Sequence, residues 1–181
     1  MKLAFSAILG RRDQPPADAT GQLEPDERVV GWALTEAGPA VVATQRGLWL
    51  PYEDGYRRIG WHEIDKATWA DDTLTVIEGK PVGDGDFVED LRPVSWALAQ
   101  PRDIPKVVRA RVDRSVAVTE YHDLRPTGGV RIVGRRVSGQ DGLSWLARCD
   151  AGTNRRSPEV QEQVAELLAE ARARFAPRAD L

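Results

Sequence analysis

RIGWHEIDKATWADDTLTVIE, residues 58–78, is the stretch whose reading decides the fold. Leu74 and Val76 alternate with Thr73 and Thr75, the period of a strand with one dry face. Lys66 to Trp69 is a second strand-like run. Between them Asp71-Asp72 stands where a tight hairpin turn belongs, because Asp tolerates the left-handed backbone that such turns need. Two short strands joined this tightly imply an antiparallel sheet.

Working outward, the same signals recur. Arg28 to Thr35, Ala40 to Gln45, Leu48 to Tyr52, Tyr56 to Gly60 and Val94 to Ala99 are strand candidates, separated by turn residues such as Glu36-Ala37-Gly38-Pro39 and Glu53-Asp54-Gly55. The period changes at Pro101 to Ser115. Ile104, Val107, Val108 and Val112 recur at helical spacing behind Asp103, a capping residue type, with Pro105 tolerated in the first turn. Three more strands are expected at Val116 to His122, Val130 to Val137 and Leu143 to Cys149. A final amphipathic helix begins at Ser157-Pro158-Glu159 and carries Val160, Val164, Leu167, Leu168, Ala171 and Phe175 on one stripe. The expected organisation is therefore a flexible N-terminal segment 1–27, a barrel 28–115 and a β-β-β-α unit 116–181. Residues 11–27, rich in Pro and Asp, read as a mobile linker with too little apolar surface to order.

Six or seven short strands closed by one helix have the order of a pleckstrin-homology-like split barrel. ERVVGWAL (27–34), VVATQRGLWLP (41–51) and RIGWHEIDKATWADDTLTVIE (58–78) resemble a group of uncharacterised actinobacterial proteins with a PH-like domain. The resemblance implies an α+β fold, mostly β, for about half the chain. PH-like folds host lipid head-group binding, peptide binding and structural roles, so it implies no activity by itself. The phosphoinositide-binding feature of the fold, a basic cluster in the first hairpin loop, has no match, since Glu36 to Pro39 hold no Lys or Arg.

Composition narrows the classes further. The chain has 181 residues, 41% hydrophobic and 29% charged, with net charge -3, as in soluble globular proteins. Cys149 is the single cysteine, which allows no internal disulfide and suits a cytoplasmic protein with a buried thiol. Met1 to Gly10 is too short an apolar run, and too closely followed by Arg11 and Arg12, to read as a signal peptide. No stretch approaches the roughly 20 apolar residues of a spanning helix. Charge is uneven, with 10 basic and 17 acidic residues in 1–100 but 15 and 11 in 101–181.

Linear motifs for chemistry are absent. His62 and His122 are the only imidazoles, and neither sits in a frame such as G-x-S-x-G or H-E-x-x-H. Asp84, Asp86, Glu89 and Asp90 miss the spacing of a calcium loop and read as a solvated hairpin. No metal and no cofactor are expected. Trp32, Trp49, Trp69 and Trp96 are expected to fill the barrel, and Trp61 to be the exposed one.

One cluster stands out. Arg131, Arg135 and Arg136 lie in GVRIVGRRVSG, and period two places Arg131 and Arg135, with Arg148 of the next strand, on the sheet face away from the helix. That face also carries Val133, Val137 and Leu146, so it reads as covered, either by the acidic N-terminal lobe or by a partner. Arg131, Arg135, Arg136 and Arg148 are thus the candidate binding residues. Negative net charge and the lack of interleaved aromatics argue against nucleic acid. The sequence reads best as a non-catalytic cytoplasmic binding or scaffold protein acting on an unidentified protein partner. An alternative is weak contact with an anionic membrane through Leu3, Phe5, Ile8, Leu9, Arg11 and Arg12. An enzyme of unrecognised type is a third reading.

Overall fold

Apolar alternation converts directly into sheet pairing in the computed structural model, which describes residues 14–83 and 86–176. Strands β1 (Val29–Leu34), β2 (Ala40–Thr44), β3 (Gly47–Tyr52) and β4 (Gly55–Gly60) form a four-stranded sheet in chain order. The chain continues through β5 (Ile64–Ala70), β6 (Thr73–Val82), β7 (Phe87–Asp90) and β8 (Val94–Ala97). β5 and β8 flank the first half of β6, while Gly79 to Val82 of its second half pair with β7. The β5–β6 turn has φ of 48° at Asp71 and 57° at Asp72, the left-handed pair of a type I′ hairpin.

A bridge between Thr35 and Leu98 ties the end of β1 to the segment after β8, reinforced by Ala99 N–H donating to Leu34 O at 3.0 Å. Inward side chains of both sheets, among them Val41, Leu48, Leu50, Ile59, Leu74 and Val76, meet in one core. Helix α2 (Ile104–Ser115) closes it with Ile104, Val108 and Val112, the expected stripe. A curled half-barrel sheet with a helix against it is consistent with the PH-like split barrel and closing helix expected.

The β-β-β-α unit follows without a break. α2 runs into β9 (Val116–Asp123), then β10 (Gly129–Arg135), β11 (Ser144–Cys149) and helix α3 (Pro158–Arg174). Val160, Val164, Leu168 and Ala171 of α3 are buried against Val130, Ile132, Trp145 and Ala147. Burying a Val or Leu contributes about 1.5–3 kcal/mol, so this stripe fixes the helix on the sheet. β11 also runs parallel to β7 at Ala147 and Phe87. The barrel strands and the C-terminal strands therefore share one seven-stranded sheet, ordered β5-β6-β7-β11-β10-β9, with β8 on β6.

Two expectations need correction, and residues 14–27, expected as a linker, touch the barrel at a few points. A short helix α1 (Ala17–Thr20) buries Ala19 fully against the outer face of β2, with Ala40, Val42 and Trp49. The Glu27 carboxylate accepts from Trp49 Nε1 at 3.0 Å and from the Thr44 hydroxyl at 2.5 Å, and pairs with Arg58 at 3.3 Å. A few well-placed contacts of this kind order a segment that composition alone reads as polar. The rest of that segment, 1–13, lies outside the described residues. Consequently Trp32 and Trp49 pack on the outer side of the first sheet, beneath this segment, instead of inside the barrel. Trp61 is only 3% exposed, with its Nε1 donating to Thr44 O at 3.1 Å, because a satisfied indole N–H lets the ring close the core at the end of β4.

Candidate functional site

The four candidate arginines do not form one surface. Arg135 stands in regular register on β10, and its side chain reaches beneath the barrel to β5 and the end of α2. It is 7% exposed, and its Nη1 donates to Ile64 O at 2.8 Å and to Ser115 Oγ at 3.1 Å. Arg148 reaches the same place from β11. It pairs with Asp65 at 2.8 Å and with Asp90, and Asp65 lies 3.7 Å from Arg135. Gly79 makes this approach available, since a Cβ there would stand 2.9 Å from Val88 Cγ2 and 3.3 Å from Arg148 Nη2.

Arg136 serves a different end. Its backbone N–H donates to Ser115 O at 2.7 Å and its Nη1 to Arg114 O at 3.1 Å, satisfying carbonyls that the last turn of α2 leaves open. Arg131, opposite Tyr121 and Arg148 on the neighbouring strands, is exposed. Of the two covers expected for the face that carries Arg131, Arg135 and Arg148, the acidic N-terminal lobe is the one that Arg135 and Arg148 contact. Arg136 bonds to a helix end, and both Arg136 and Arg131 are exposed.

Electrostatics at this junction follow from burial. Desolvation lowers the Arg135 pKa against the opposing pull of Asp65, and desolvation likewise holds His62 below the ordinary imidazole range, with Arg135 adding to the effect. The cleft between His62, Asp65, Arg135 and Arg148 holds about 20 Å³, room for one water and no ligand. The acidic stretch read as a solvated hairpin lies against the same unit. Asp86 pairs with Arg172 at 2.7 Å, Glu89 with Arg155, and Asp90 with Arg148. The charge asymmetry of the two halves is thus met inside the molecule. Among the described residues no group of His, Cys, Asp and Glu could hold a metal ion, and no helix is long and apolar enough to cross a membrane. Burial raises the Cys149 thiol pKa, which disfavours a reactive thiolate.

Sequence reasoning missed a groove of about 870 Å³ between β1, the segment around α1 and the start of α2. Its apolar floor is Val29, Val30 and Trp32, and Arg102 lays its guanidinium 4.3 Å above the Trp32 ring. Arg102 has φ of 50°, a left-handed conformation that a side chain this bulky adopts at a cost of order 1–2 kcal/mol. Thr35 N–H bonds toward β2, at Pro39 O, whereas Leu34 O accepts from Ala99 on the opposite side. By the two-residue alternation of antiparallel ladders, the backbone of Trp32 points away from β2 and into the groove. Among the described residues no named strand pairs with this edge of β1, and Val30 is 38% exposed there. The sequence signal for the groove was faint: Gly31 beside a Trp in a strand, where a Cβ would meet Val107 Cγ2 at 3.6 Å.

No protein-family model matches the chain, and searches of the curated proteins and of the solved structures found no match.

Proposed function

We propose that the protein is a non-catalytic cytoplasmic binding protein that acts through protein–protein contacts, and that the groove beside β1 receives an extended segment of its partner. The observation carrying this reading is the groove of about 870 Å³ beside β1, where Val30 is exposed next to Val29. A sheet edge supplies main-chain hydrogen bonds to any extended peptide, and the adjoining apolar floor supplies selectivity for alternate side chains. Aromatic and arginine side chains are the residue types that most often dominate binding energy. The small volume of the arginine junction supports looking here and not there.

Selection of random displayed peptides on the intact chain tests the proposal. Peptides that bind the groove should lose at least about tenfold in affinity, or 1.4 kcal/mol, toward Val30→Glu. That variant should keep its melting temperature, because Val30 is an exposed position. Enriched peptides indifferent to Val30→Glu, or vesicle binding in place of peptide binding, would overturn it.

A further inference from the structure

We propose that the end of the barrel beside the β3–β4 turn is a second contact site, separate from the groove beside β1. It takes one branched aliphatic side chain of a partner peptide whose neighbouring carboxylate meets Arg92. Inward positions on β3 run Leu48, Leu50, Tyr52, and the residues opposite Leu48 and Leu50 on β4 are Ile59 and Arg57. On β6 the inward run of Leu74 and Val76 arrives at Glu78. Both runs therefore end in a charged group where the apolar core stops. Arg57 donates to the two Glu78 carboxylate oxygens at 3.0 Å and 2.6 Å and to the Tyr52 hydroxyl at 3.0 Å.

Beside this pair a pocket of about 80 Å³ remains between Tyr52, Trp96, Ile59 and Val76. Its depth is apolar, because Ile59 and Val76 are each 2% exposed, and its rim is formed by Leu91 and Val94, each 39% exposed. The aromatic walls are fixed in place. Tyr52 and Trp96 stand edge to face at 5.8 Å, and Trp96 Nε1 donates to Pro51 O at 3.1 Å. A preformed pocket of this kind loses little freedom when a guest enters.

Volume and charge choose the guest. Pockets for small-molecule ligands hold roughly 300–1,000 Å³, and a closed cavity that admits benzene holds about 150 Å³. A space of about 80 Å³ is too small for either and suits one aliphatic side chain, an anchor of the kind that seats in a pocket within a protein contact. Glu78 neutralises Arg57. Arg92, which also lines the pocket, forms no ion pair among the described residues, and the carboxylates just before it, Glu89 and Asp90, pair with Arg155 and Arg148. A positive charge at the mouth therefore awaits a carboxylate on the guest.

The test follows the Trp96 Nε1–H signal of the intact chain by NMR while blocked tetrapeptides containing Leu-Asp or Asp-Leu are added. At least one of the two should shift that signal. Replacing its Leu by Ala should weaken binding at least about tenfold, the loss expected for missing methylenes in an apolar pocket. Replacing its Asp by Asn should weaken binding about threefold to fivefold, as for a partly exposed ion pair. Arg92→Gln should erase the preference for Asp over Asn with the melting temperature unchanged, since Arg92 is exposed. Affinity should be unchanged in Val30→Glu, so that this site and the groove beside β1 stand or fall separately. An unmoved Trp96 signal with both peptides at millimolar concentration, or equal binding of the Leu and Ala versions, overturns the site. Equal binding of the Asp and Asn versions overturns the role of Arg92. Phosphatidylserine vesicles that broaden the Trp96 signal while neither peptide shifts it would assign the rim to lipid and overturn the proposal.

Discussion

Arg135 shows how much a single position can hide. Period two correctly places it on the face away from α3, with Arg131 and Arg148. What the period does not carry is what covers that face: β5 and the end of α2 lie where the Arg135 donors meet Ile64 O and Ser115 Oγ. Arg135→Glu puts a carboxylate beside Asp65 and leaves those acceptors facing it. Unpairing a buried charge of this kind costs about 3–5 kcal/mol. Thermal denaturation should show a large drop for Arg135→Glu. Arg131→Glu, at an exposed position of the same strand, should change stability by no more than about 0.5 kcal/mol. Similar losses in both variants would mean that burial at Arg135 is not what distinguishes them. Glu27 teaches the same lesson from the other direction, since a carboxylate in a polar, Pro-rich stretch carried no signal that Thr44, Trp49 and Arg58 would converge on it.

At the scale of elements, local chemistry fixes some features outright and leaves others to tertiary context. The β5–β6 hairpin belongs to the first kind. Both turn residues have positive φ, which Asp tolerates, Gly adopts freely and a β-branched residue resists. Asp72→Val should therefore lower stability by about 1–2 kcal/mol, whereas Asp72→Gly should not. Urea midpoints of the two variants measure the difference, and equal losses would contradict a type I′ turn. Hairpins, α2 and the α3 stripe were legible because each rests on residues close in sequence. β7 was not. Phe87 to Asp90 is four residues long and acidic, and it is a strand only because β6 and β11 lie on either side of it. The β1 groove was hidden for a related reason, since it is assembled from α1, β1 and α2. No single stretch contains it.

Across the whole molecule, the question is what couples the barrel to the C-terminal unit. Ion pairs are plentiful there, but Asp86–Arg172 and Glu89–Arg155 involve side chains about a third to a half exposed, and such pairs are worth no more than about 1 kcal/mol each. Main-chain contacts are the stronger tie. Ala147 N–H donates to Asp86 O at 2.7 Å, Arg135 donates to Ile64 O at 2.8 Å, and Ser138 Oγ donates to Gln45 O at 3.0 Å. β6 belongs to both parts, pairing with β5 and β8 at one end and β7 at the other. Opening the junction therefore requires breaking a continuous sheet and exposing the Arg135 guanidinium with its acceptors. Calorimetry should accordingly record one transition with equal calorimetric and van't Hoff enthalpies. Raising salt to about 1 M, where screening acts within roughly 3 Å, should weaken the exposed pairs yet leave the transition single. Two resolved transitions at any salt concentration would show that residues 28–115 and 116–181 fold as separate units. Splitting that appears only at high salt would show that the ion pairs, and not the shared sheet, hold the two parts together.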